Sequence, residues 1–83
     1  MTPSMLARLK AATAYVMAEV NKNTVAAEIL AGLVKDHKAV IRNQASTNSI
    51  RCAGSSASCT WSRDEGLLNA WRKNATIKLA MEG

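Results

Sequence analysis

The sequence predicts an all-α fold: a small three-helix domain with a Ser/Gly/Cys-containing loop between its second and third helices, a loop that also reads as a short hairpin. Two observations predict it. Hydrophobic residues make up 48% of the 83-residue chain and are drawn mainly from Ala, Leu, Val, Ile and Met, with two Trp, one Tyr and no Phe. That is the composition of a folded protein with an aliphatic core, which favours helices over sheets. Apolar residues also recur at steps of three and four in three segments, interrupted by one breaker-rich stretch at 45–61. A chain of this length makes one domain, 1–83, and so small a domain is often supplemented by a disulfide, a metal or a second copy of itself.

Helix 1 is expected over 3–21. Thr2 can cap the free amides of a first turn, and Pro3 at the first helical position loses no hydrogen bond there. Met5, Leu6, Leu9, Ala12, Val16 and Val20 form one face. Thr13 falls on the same stripe, with its hydroxyl expected to bond back one turn. Asn21-Lys22-Asn23 ends the helix.

Helix 2 is expected over 24–44, capped by Asn23 or Thr24, because Ala26, Ile29, Leu30, Leu33, His37, Val40 and Ile41 share one arc of a helical wheel. Gly32 inside it costs about 1 kcal/mol relative to Ala, which signals a close helix crossing or a break. The loop at 45–61 follows. A two-residue turn at Ser55-Ser56 would set Arg51 opposite Thr60 and Cys52 opposite Cys59. Helix 3 is expected over 62–81, opened by the capping box Ser62-Arg63-Asp64-Glu65. Leu67, Leu68, Trp71, Ala75 and Leu79 line its face, and Trp61 can cover its start against Leu67.

Catalytic chemistry is missing from the sequence. Zinc needs more ligands than Cys52, Cys59 and the one histidine, His37, supply. Redox motifs hold two thiols closer than these are. His37 has no nucleophile near it in sequence, the carboxylates are scattered, and Gly32, Gly54, Gly66 and Gly83 match no phosphate-binding fingerprint. The expectation is a non-enzyme with no cofactor, no metal and no small-molecule substrate. No apolar run is long enough to span a bilayer and no signal-peptide layout opens the chain. A cytoplasmic protein with no membrane partner is therefore expected, its thiols reduced by default, with a Cys52–Cys59 bridge as the alternative.

Eleven Lys and Arg against six Asp and Glu give a net charge of +5, which suits nucleic acid, anionic lipid or an acidic protein surface, and also suits solubility alone. The function expected first is non-catalytic docking on a larger protein or nucleoprotein, as by a mobile-element accessory regulator or inhibitor, in a homodimer. Its motive is helix 2: about 20 residues span ~30 Å, leaving apolar face for a partner to cover. The contact residues would be His37, Val40, Ile41, Trp61 and Trp71, each equally readable as core. The alternative is nucleic-acid binding through Lys35, Lys38, Arg42, Arg51 and Lys73, the first three forming a stripe on helix 2. In its helix-turn-helix form Gly32 sits at the turn, although Glu28 and Lys38 fall where that motif wants small and apolar residues.

Overall fold

A computed structural model describes residues 3–44, 46–61 and 64–82. Its elements run α1 (Pro3–Asn21), α2 (Ala26–His37), β1 (Val40–Gln44), β2 (Thr47–Cys52), β3 (Ser55–Cys59) and α3 (Glu65–Glu82). The fold is therefore mixed: three helices and a three-stranded antiparallel sheet in the order β1-β2-β3. This corrects the all-α, helical-bundle expectation.

α1 obeys its pattern. Leu9, Ala12 and Val16 are fully buried, and the Thr13 hydroxyl donates to the Leu9 carbonyl at 2.8 Å. Asn23, at φ 60, ends the helix. The amides of Asn23 and Thr24 turn back onto the carbonyls of Val20 and Glu19, the usual way an αL residue satisfies a helix's last acceptors. The expected side-chain cap of α2 is not formed: Val25 occupies the cap position without a side-chain hydrogen bond. The caps by Thr2 and Ser62 lie outside the described residues.

α2 is where expectation and structure part. It is helical through Gly32 and stops at His37, because Lys38 adopts a left-handed conformation (φ 57, ψ 34). Its amide and that of Ala39 both turn back to the Leu33 carbonyl. The chain then leaves in an extended direction, and Val40 and Ile41, assigned to a helical arc, are strand residues. Gly32 marks a crossing. A Cβ there would collide with the Tyr15 ring of α1, 2.7 Å from Cζ.

The hairpin is real, but its register is not the expected one. Ala53 and Gly54, at φ 52 and 84, form the turn with positive φ at both central positions that matches strand twist. Cys52 therefore faces Ser55, Arg51 faces Ser56, and Cys59 faces Asn48. Four residues of strand between the two cysteine positions amount to about 13 Å, well beyond the ~7 Å limit for a disulfide. Both thiols are free and buried.

One side of the sheet carries Ile41, Asn48, Ile50, Cys52, Ser55, Ala57 and Cys59 toward the helices. α3 closes this core with Leu67, Leu68, Trp71 and Ala75. The Trp71 indole, fully buried, donates to the Ser55 carbonyl at 3.3 Å. Burying 150–250 Å² of an aromatic ring is worth roughly 4–6 kcal/mol against about 1 for such a bond. Packing therefore holds α3 in place, and the hydrogen bond sets its register. Asn74 donates to the Ser56 carbonyl at 3.0 Å and Lys78 to that of Gly54 at 2.6 Å, so α3 is laced to β3 and to the turn that precedes it.

Candidate nucleic-acid interface

The other side of the sheet faces solvent. Strand residues alternate sides, so the register sets Val40 beside Arg51 and Ser56, Arg42 beside Ser49 and Ser58, and Gln44 beside Thr47 on this open side. All are exposed except Ser49, which is half-buried. Arg42 and Arg51 are diagonal neighbours on adjacent strands, a relation that spans ~7–8 Å. A shallow hollow of ≈ 660 Å³ runs between them, walled by the serines of β2 and β3 and by Asn74 at its rim.

The electrostatics of this side are one-signed. From residue 37 to residue 63 the sequence holds no Asp or Glu, while it holds Lys38, Arg42, Arg51 and Arg63. Among the described residues no carboxylate pairs with either sheet arginine, whereas Lys22 is paired to Glu19 at 3.1 Å. Two guanidiniums with free donor forks stand among hydroxyls that donate or accept, an arrangement suited to phosphate oxygens or base edges.

The expected nucleic-acid residues are thus regrouped. Arg42 and Arg51, far apart in sequence, come together. The helical stripe of Lys35, Lys38 and Arg42 does not exist, because Lys35 lies in the last turn of α2, Lys38 is the turn residue and Arg42 is on β1. Lys73 is exposed on α3. The helix-turn-helix arrangement fails on geometry, since α2 is unbroken at Gly32. Ser49, Ser56, Ser58 and Asn74 were not foreseen. The only signal of the three serines in the sequence is polar residues at every second position, which a Ser-rich loop shows equally well.

The expected docking residues are dispersed. Val40 is 51% exposed on the open side of the sheet, and Ile41, half-buried, packs toward the core on the other. His37 closes α2 with its ring 5.2 Å from that of Tyr15, and its carbonyl receives the Cys52 thiol at 3.5 Å. Trp71 is wholly internal, while Trp61, beyond the end of β3, is 79% exposed. Its exposure leaves the expected cover over Leu67 unmade.

Burial pushes the Cys52 thiol above its ordinary pKa, with Arg8 opposing. A protonated thiol donating to a carbonyl is not a nucleophile. Among the described residues no three of His, Cys, Asp or Glu cluster as metal ligands would. Among the described residues no helix is long and apolar enough to cross a membrane. Comparison with protein-family models, curated proteins and solved structures finds no match, so function has to be argued from the chain's own geometry.

Proposed function

We propose that this chain is a non-catalytic nucleic-acid-binding protein whose contact surface is the open side of its sheet. One observation carries the proposal: Arg42 and Arg51 stand together, unpaired by any carboxylate among the described residues, on a hydroxyl-lined face within a segment free of acidic residues. A polyanion supplies the complementary charge, and binding of this kind is driven largely by release of the counterions that phosphates condense. Arg suits it better than Lys, because its planar fork grips phosphate or a base edge at two points.

The test is fluorescence anisotropy with a labelled mixed-sequence DNA duplex two helical turns long, titrated over a series of salt concentrations. Affinity should fall steeply as salt rises, and R42A and R51A should each flatten the logarithmic slope by about one. Both arginines are exposed, so thermal melts of the variants should match the wild type. Failure to bind the duplex, its separated strands or duplex RNA at low salt would overturn the proposal, as would an undiminished slope in the double variant R42A/R51A.

Docking on protein is a second reading, carried by the 79% exposure of Trp61, an aromatic of the kind that anchors interfaces. The overhanging half of a long helix 2, its first motive, is absent, since α2 ends at His37. The partner it implies is a second copy of the chain. Light scattering should then give a mass above that of one chain, restored to a single chain in W61A.

A further inference from the structure

We infer that the preferred ligand is double-stranded B-form DNA, entered through its major groove by the β1–β2 ribbon, an inference that rests on the nucleic-acid reading above. Three features of the open side separate a duplex groove from the other nucleic-acid forms.

The first is the absence of any stacking surface. Single strands are held by aromatic side chains on which unpaired bases lie. The open side presents Val40, Arg42, Gln44, Thr47, Ser49, Arg51, Ser56 and Ser58 and no ring. Trp61 comes after the last residue of β3, outside the paired register. A base laid on this sheet would meet hydroxyls and guanidiniums.

The second is relief. Arg42 and Arg51, with Gln44, are long, and every polar neighbour on β2 and β3 is a Ser or Thr. Long donors rising from a floor of short side chains reach into a groove while the floor stays at the level of the backbone. A major groove about 12 Å wide admits a two-stranded ribbon, and the pair β1–β2 carries both arginines while β3 adds only hydroxyls on this side. β1 is exposed at all of its residues but Ile41, so no helix obstructs the ribbon there. α3 is bound instead to β3 and to the turn that precedes it.

The third is spacing. Diagonal neighbours ~7–8 Å apart match two base-pair steps at about 3.4 Å each. The two forks can therefore address base edges or phosphates of one duplex without competing for the same position. The deep, narrow major groove of A-form RNA would not admit them.

The experiment measures the full chain against three labelled probes of one sequence at low salt: the DNA duplex, one of its separated strands, and the RNA duplex. The DNA duplex should bind at least about tenfold more tightly than either other probe, and each Arg→Ala substitution should cost it about fivefold or more. W61A should leave duplex affinity within twofold of wild type, where stacking of unpaired bases on Trp61 would lower single-strand binding. Methylation of guanine N7, which lies in the major groove, should interfere with binding. If no probe binds, the nucleic-acid reading itself fails. If the single strand or the RNA duplex binds as tightly as the DNA duplex, or N7 methylation has no effect, the groove inference falls while that reading stands.

Discussion

Replacing Gly32 with Ala should destabilise the protein, although helix propensity alone says the opposite. In the interior of α2 the exchange gains about 0.8–1 kcal/mol of intrinsic preference. Against this, the added methyl lands 2.7 Å from Cζ and 3.3 Å from Cε2 of Tyr15, and its nearest neighbour is the hydroxyl of the same ring. The ring escapes only by swinging outward, which gives up its contact with His37 at 5.2 Å and its cover over the core. Overpacking of this kind costs roughly 1–3 kcal/mol, so the balance should be a net loss of about 1 kcal/mol, or ~4–8 °C in Tm for a domain of this size. Urea denaturation followed by circular dichroism reads the change directly. The decisive control is the same substitution in a Y15A background, where no ring remains to be struck. There G32A should stabilise by up to about 1 kcal/mol, so that the sign reverses. A wild-type protein made more stable by G32A would show that α1 and α2 do not cross at this glycine.

Trp71→Phe should cost about 1–3 kcal/mol in the same assay, combining the lost bond to the Ser55 carbonyl with the void left in a site of zero exposure. A neutral result would place Trp71 outside the core. Cys52 gives a pH signature. Burial raises its folded-state pKa above the unfolded value, so the stability it contributes is fully present below the unfolded thiol pKa, near 8.5, and is lost as pH rises from there through the folded value. Tyr15 is likewise raised, by its own burial and then by Glu19, and adds to the fall only at pH values above its unfolded pKa of about 10. In C52A the onset of alkaline destabilisation should accordingly move upward; an unchanged onset would refute the assignment. Both cysteines should resist thiol reagents at neutral pH until denaturant is added, and rapid labelling of the native protein would contradict their burial.

Much of the helical part of the fold is legible along the chain. The three apolar stripes that pack the core, Leu9–Ala12–Val16, Ile29–Leu30–Leu33 and Leu67–Leu68–Trp71–Ala75, follow from spacing, because a period near 3.6 held over many residues gathers the apolar side chains on one flank only if the backbone is helical. Asn23 announces the end of α1, since Asn is among the residues that take the left-handed conformation readily. The end of α2 carries no such mark. A lysine, Lys38, occupies the left-handed position, and Val40 and Ile41 continue the helical arc as convincingly as they begin a strand. The sheet is obscured for a related reason. Its core-facing side is made of Asn48, Cys52, Ser55, Ala57 and Cys59 around two large apolar residues, Ile41 and Ile50, so the alternation expected of a half-buried strand is weak.

What the residues dictated unaided was therefore local: where helices pack, that Gly32 marks a special point and that charge is positive. Tertiary structure decided where those charges stand. Arg42 and Arg51 lie nine positions apart in the chain, and they stand side by side only where the segment between them folds back as a hairpin. Only the pairing of β1 with β2, which sets Val40 opposite Arg51 and Arg42 opposite Ser49, puts both on one face, and that face is left exposed. β1 and β2 pair as consecutive strands, but which side of them is buried is chosen by the packing of the core, and so the surface proposed to bind DNA emerges only once that core has formed.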